Sequence, residues 1–368
     1  MADCLCTRYA RATEWAALAG ARWLGRADEE AAEEAAASGM KAALEELPID
    51  GTIVLGARTG EALLPGGTVG AGGDRVDLAL DPIEGRGVVA RGGVGAMAML
   101  AVAPEGELRR LPDMYMRTIA VGPRAREVID LDRPVAENVQ QVAASFGRQP
   151  LDITALVLDR PRHHDLIEEL RSAGTRIKLI GDGTVTASIS AAIRGTNDHL
   201  AIGIGGTRQA VLTAAALRCL GGGMQAQLWP TTRSQIEAAR EVGIEDVAHV
   251  FTEEDLATGD VIFVATGVTN GDLLRGVRFM ADSARTHSLI MCMRCNWVRF
   301  DDGIHFFARE RLAEQADFLA PLAGLTARPG ATLRGRRRSR PTCSRSPARR
   351  RPDRRPQRRT ARGRPGPR

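Results

Sequence analysis

Aromatic residues make up only 4% of this 368-residue chain, with two tyrosines among them. With 44% hydrophobic residues and so few rings, the core has to be built from Ala, Val, Leu and Ile. Lysine is scarcer still: Lys41 and Lys178 stand alone among 50 basic residues, a bias that reflects a GC-rich coding sequence more than a function. No apolar run is long enough to span a bilayer, so no membrane partner is expected. The opening Met1-Ala2-Asp3-Cys4-Leu5-Cys6 lacks the basic start and apolar run of an export signal. The six cysteines, Cys4, Cys6, Cys219, Cys292, Cys295 and Cys343, are therefore expected as free thiols in a reducing cytoplasm.

The net charge of +5 averages two unlike pieces. Arg334–Arg368 holds 16 arginines against Asp353 (+15), which leaves residues 1–333 with 34 basic and 44 acidic residues, −10. An acidic body is a poor nucleic-acid binder by bulk electrostatics. From about Ala327 the chain is rich in Arg, Pro, Gly and Ser without apolar periodicity, and disorder is expected. Such a tail is either a basic arm for nucleic acid or acidic membranes, or an out-of-frame extension of a GC-rich gene. The lack of lysine and aromatics favours the second, so a nucleic-acid partner is the last-ranked expectation.

Hydrophobic spacing predicts helices over Thr7–Leu24 and from Asp28, as N-cap, to Leu47 before Pro48. Apolar strands are expected at 51–56, 76–81 and 96–102. Beyond Pro150 the texture becomes βα alternation, with strands at 153–158, 176–180, 200–204 and 261–265 and helices between the first four. Three segments follow: an N-terminal α+β half (1–148) carrying the catalytic groups, a C-terminal α/β half (149–326), and the tail (327–368).

Within Asp74–Arg86, Asp77 and Asp81 fall on one side of a strand by its period of two. Pro82 is expected to stop the ladder, with Glu84 on the turn beyond. Three acids gathered there offer a hard, oxygen-only site suited to Mg²⁺ or Mn²⁺. Upstream, Glu29/Glu33 and Glu30/Glu34 are like-charged i,i+4 pairs, each costing about 0.2–0.5 kcal/mol, which a bound cation would relieve. Cys292-x-x-Cys295 has metal-ligand spacing, but no second Cys/His pair of suitable spacing is evident, so two strand-borne thiols are expected.

The order of motifs resembles one family, the class II fructose-1,6-bisphosphatases of the GlpX type. The matching pieces are Thr13–Gly20 (TEWAALAG), Trp23–Arg26 (WLGR), Ile49–Val54 (IDGTIV), Val76–Gly85 (VDLALDPIEG) and Pro112–Met116 (PDMYM). Arg160–His163 (RPRH), Asp182-Gly183, Gly203–Gly206 (GIGG) and Ala265–Asp272 (ATGVTNGD) complete the series. The resemblance implies a layered αβαβα sugar-phosphatase fold. It also implies metal-dependent hydrolysis of the 1-phosphate of fructose 1,6-bisphosphate or a related sugar bisphosphate, in gluconeogenesis, with Mn²⁺ or Mg²⁺ as cofactor and self-association of the chain.

Carried over by position, the metal ligands are Glu33, Asp81, Glu84 and Gln209, and the catalytic set is Asp81, Glu84 and Arg86. Substrate contacts are Glu84, Gly85, Arg86, Tyr115, Arg160, Pro161, Arg162, Asp182, Gly183, Thr184 and Gly206. His163 matches the family's one histidine here, a pocket or helix-cap residue, with His164 at the surface. Several positions depart from the family pattern. Ala57 replaces a ligand Glu in a loop about four residues shorter, with Glu61 a candidate substitute. Gln209 replaces another Glu, Thr184 an Asp, and Arg208 a Pro. Arg86 replaces the Thr that orients the attacking water, and a guanidinium cannot act as base. The implied hydrolase is expected to be impaired by these changes. The alternative is a non-catalytic sugar-phosphate-binding paralogue with a regulatory or scaffolding role.

Overall fold

The computed structural model describes residues 4–307; the expected basic tail lies outside the described residues. Two N-terminal helices, α1 (Cys6–Ala21) and α2 (Glu29–Glu45), pack through small side chains, with Ala10, Ala16, Ala32 and Ala36 buried. At Gly39 a Cβ would sit 2.7 Å from the Trp15 carbonyl oxygen, so glycine permits the approach. Asp28 caps α2 as expected, accepting from the Ala31 amide at 3.0 Å.

The first sheet begins with β1 (Ile49–Leu55), β2 (Thr68–Val69), β3 (Asp74–Glu84) and β4 (Met97–Pro104). The chain then builds a second sheet from β5 (Tyr115–Val121), β6 (Thr154–Leu158), β7 (Arg176–Ile180), β8 (Leu200–Gly206), β9 (Gly223–Trp229) and β10 (Val250–Thr252). It returns to the first with β11 (Ile262–Gly267), β12 (Arg278–Phe279), β13 (Ser283–Cys292) and β14 (Trp297–Phe306). Strand order in the first sheet is β12-β13-β11-β4-β3-β1-β2, with β14 also on β13; in the second it is β10-β9-β5-β8-β6-β7. The sheets therefore do not divide at residue 148: β5 belongs to the second and β11–β14 to the first.

Helices α3 (Arg86–Arg91), α4 (Val135–Ser145), α5 (His164–Ser172), α6 (Thr184–Ala192), α7 (Thr207–Leu220), α8 (Arg233–Glu241) and α9 (Glu253–Leu256) complete the described chain. Three apolar cores define the layers. One joins α1 and α2 to the first sheet (Ala16, Met40, Leu80, Ile290). The largest lies between the sheets around α6 and α7 (Met99, Ile189, Val211, Leu212, Phe263). The third joins the second sheet to α4 and α5 (Ile119, Val139, Val157, Leu170). The layering is αβαβα, in agreement with the expected fold. No helix among the described residues is long and apolar enough to cross a membrane.

Strand β3 does not end at Pro82. It runs on to Glu84 through a register shift against β4 between Asp81 and Glu84. An irregular stretch of this kind accommodates a residue that has no N–H to give. Asp77 does not join the site either: its Oδ2 accepts from the Gly106 and Leu108 amides at 2.9 and 3.3 Å, fixing the turn after β4.

Candidate active site

Asp81 and Glu84 are carried to the C-terminal end of β3, where the irregularity turns both into a cleft between the sheets. Both are buried, and both line a cavity of about 340 Å³. Arg58, Arg86, Arg91, Arg160 and Arg162 share its walls with Tyr115, Asp182 and Thr184. Gly85, Gly206 and Gln209 line it too. Of the expected substrate contacts, Gly183 faces the adjoining cavity and Pro161 lines neither. Glu61 is exposed and lines neither cavity.

Glu84 has a definite structural partner. Its Oε1 accepts from the Val185 amide (3.0 Å), and its Oε2 from the Thr186 hydroxyl (3.1 Å) and amide (3.4 Å). These are orphan donors of the first turn of α6, whose N-cap, Gly183, offers no side chain. A carboxyl from the first sheet thus caps a helix of the middle layer. Burial pushes the Glu84 carboxyl up to about 8, against the pull of the Val185 amide. Gly85 follows at φ 87°, a conformation open to glycine, and starts α3.

Arginines, not solvent, neutralise the other acids. Arg86 Nη1 lies 2.7 Å from Glu33 Oε2, and its Nε 3.5 Å from Glu29 Oε2. The cation that relieves the Glu29/Glu33 repulsion is thus this guanidinium. Glu33 Oε1 also accepts from the Arg58 amide at 2.8 Å. Asp81 Oδ2 accepts from Gln209 Nε2 at 2.8 Å, and Oδ1 lies 3.9 Å from Arg208 Nη1. Burial raises the Asp81 carboxyl, opposed by Arg208 and Arg58. Gln209 Oε1 accepts from Arg58 at 3.5 Å, so this amide turns its nitrogen, not its oxygen, to the acid. Glu33, Asp81 and Glu84 fit a hard divalent ion in donor type. Gln209 as oriented does not, and the positive charge at Glu33 and Asp81 comes from arginine.

A second cationic group lines the same cavity. The Arg162 guanidinium lies 4.9 Å from the Tyr115 ring centroid and donates to the Ile204 carbonyl at 3.1 Å. Arg160 lies 4.0 Å from Asp182. His163 stands behind them as a strand clamp. Its Nδ1 faces the Leu158 carbonyl at 2.9 Å and its Nε2 accepts from the Ile204 amide at 2.8 Å. Burial lowers its pKa, so the neutral ring that this pattern requires is favoured. Sequence reasoning missed Glu29, Arg58 and Arg91 as wall residues. Their signal is weak: Arg91 is five residues beyond Arg86 on a one-turn-and-a-half helix, and Glu29 begins a helix where acids are ordinary.

The family model for bacterial, glpX-encoded fructose-1,6-bisphosphatase matches residues 3–305. The chain is 40% identical over 321 residues to the D-fructose 1,6-bisphosphatase class 2/sedoheptulose 1,7-bisphosphatase of Synechococcus sp. (strain JA-3-3Ab), covering 79% of this chain and 92% of that protein. It is 36% identical over 330 residues to the protein of the same description from Crocosphaera subtropica (strain ATCC 51142 / BH68), covering 82% and 96%.

Proposed function

The chain belongs to the class II, glpX-type fructose-1,6-bisphosphatases, and from that premise we propose that it hydrolyses the 1-phosphate of fructose 1,6-bisphosphate or of a related sugar bisphosphate such as sedoheptulose 1,7-bisphosphate. The observation that supports this reading is that two cationic groups, carried by different sheets, line one cavity. Arg58 and Arg86 lie beside the buried acids, and Arg160 and Arg162 follow β6 of the second sheet. A sugar with a phosphate at each end suits two separate sets of guanidiniums in one cavity, and guanidiniums suit phosphate oxygens. Arg160 and Arg162 hold the spectator phosphate, with the Tyr115 ring supporting Arg162. Arg58 and Arg86 hold the reacting one.

Arg86 cannot take a proton from water, so the acceptor is a carboxylate, and Asp81 is the one assigned that role. Its Oδ2 is fixed by Gln209, which leaves Oδ1 to orient the nucleophile. Glu84 keeps the first turn of α6 and Thr184 in place at the sugar. Mn²⁺ or Mg²⁺ at Asp81, Glu84 and Glu33 supplies charge neutralisation of the transferring phosphoryl group when bound. The proposal includes a cytoplasmic, self-associating enzyme of gluconeogenic carbohydrate metabolism.

The test is inorganic phosphate release from both bisphosphates with Mn²⁺, Mg²⁺ or EDTA, in the full chain and in Asp81→Asn. Metal-dependent release lost in the variant supports the reading. A second reading, binding without turnover, is favoured by one observation only, the arginines already seated on Glu33 and Asp81. A thermal shift with fructose 1,6-bisphosphate but no release from any sugar bisphosphate would select it.

A further inference from the structure

The Cys292-x-x-Cys295 pair, expected to stand alone as two strand-borne thiols, does not. It meets Cys4 and Cys6 from the other end of the described chain. Cys4 Sγ lies 3.7 Å from Cys292 Sγ, and Cys6 Sγ 3.8 Å from Cys295 Sγ. The four sulfurs all lie within 4.8 Å of one another, and they are the one such set of His, Cys, Asp or Glu groups found among the described residues. The local folds suit the arrangement. Cys4 and Cys6 straddle the first residue before α1, and Cys292 ends β13. Cys295 lies in the turn into β14, which Asn296 closes at φ 51°, a conformation Asn tolerates. The Cys295 amide points at Cys292 Sγ at 3.4 Å, a donor placed to stabilise a thiolate.

We propose that Cys4, Cys6, Cys292 and Cys295 form a tetrathiolate site for one zinc ion, separate from the sugar-phosphate cavity. Tetrahedral Zn–S bonds of about 2.3 Å put neighbouring sulfurs about 3.8 Å apart, which is the spacing of the two closest pairs here. A disulfide needs sulfurs about 2.05 Å apart, and all four cysteines are unpaired. Four protein ligands leave no open position, so the site is structural: it ties the start of α1 to the β13–β14 hairpin, 288 residues away in sequence. Each thiol gives up a proton as its sulfur binds the metal.

The experiment uses the full chain, purified under reducing conditions without chelator. Elemental analysis should find about one zinc per chain. A mercurial added stepwise should release it to a chromophoric zinc indicator, completely by the time all six thiols of the chain are blocked. The double variant Cys292→Ser/Cys295→Ser should lose the metal, and Cys219→Ser, whose thiol lies outside the cluster, should keep it. Folded protein with all six thiols free and no zinc overturns the proposal. So does a mass 4 Da lower than the reduced chain, which means two disulfides. Iron at the same stoichiometry overturns zinc as the occupant. Should the double variant fail to fold, mercurial release from the unaltered chain decides the matter.

Discussion

Replacing Arg86 by alanine exposes what it costs to hold Glu33 in the interior. Glu33 has 2% of its side chain accessible, against 30% for Arg86. Breaking a fully buried ion pair by removing one partner costs about 3–5 kcal/mol. Solvent screening at the arginine, and the Arg58 amide that stays on Glu33, reduce this to about 2 kcal/mol. At roughly 1.5–2 °C per kcal/mol in a unit of about 300 residues, the thermal midpoint should fall by about 3–4 °C in EDTA. The companion variant Glu33→Gln closes a double-mutant cycle. In that background Arg86→Ala should cost little, leaving a coupling of about 2 kcal/mol. Restoring the family residue with Arg86→Thr should also free the acids, so Mn²⁺ should raise the midpoint of this variant more than that of the parent. Additive effects of Arg86→Ala and Glu33→Gln, or an unchanged midpoint in Arg86→Ala, would refute the reasoning.

Glu84 should leave a mark on pH dependence. Its folded value near 8 lies above the usual carboxyl range, so the folded chain binds the extra proton and this contribution to stability is lost as pH rises from about 4.5 through 8. Glu84→Gln cannot ionise and should lack that loss; parallel melting profiles between pH 5 and 8, in EDTA, contradict it. Arg160→Ala and Arg162→Ala each remove a charge-assisted phosphate contact and should raise KM for the bisphosphate about 10–100-fold with kcat nearly kept. Steady-state kinetics with an unchanged KM would remove them from the binding wall. In Gly206→Ala the new Cβ would lie 2.5 Å from Gln209 Oε1, so the amide should leave Asp81, and phosphate release should fall by more than the melting midpoint suggests.

The elements with a strong local signal were legible, whereas β5, β9, β10 and β12–β14 and the helices α4 and α8 were not. Asp28 reads as an N-cap before an alanine-rich period, and βα alternation after Pro150 reads directly from apolar runs and glycines. The sheet membership of those strands was not legible. Val261–Ala265 looks like one more βα strand, yet β11 pairs with β4 and β13, contacts that periodicity cannot reveal. Pro82 misled because its cost depends on whether its amide is needed, which only the register against β4 decides. The motif series picks out Asp81, Glu84, Arg160 and Arg162, which line one cavity. The pairing of Arg86 with Glu33 and the orientation of Gln209 were not legible, because both depend on which charges meet after folding. The four-cysteine cluster escaped for the same reason: two short spacings that signify little apart gain meaning only when the ends of the described chain meet.

The return of β11–β14 to the first sheet has a consequence for how the chain is made. At about 5–20 residues per second, roughly 8–30 s separate the synthesis of β4 from that of β11, its hydrogen-bonded neighbour. During that interval β4 presents an open edge, and α1 and α2 cover a sheet that lacks half its strands. The second sheet, continuous in sequence, can assemble first. Refolding should therefore be slow, because the first sheet closes only by long-range pairing. The edge of β4 is the surface on which a nascent chain of this design is most exposed to aggregation.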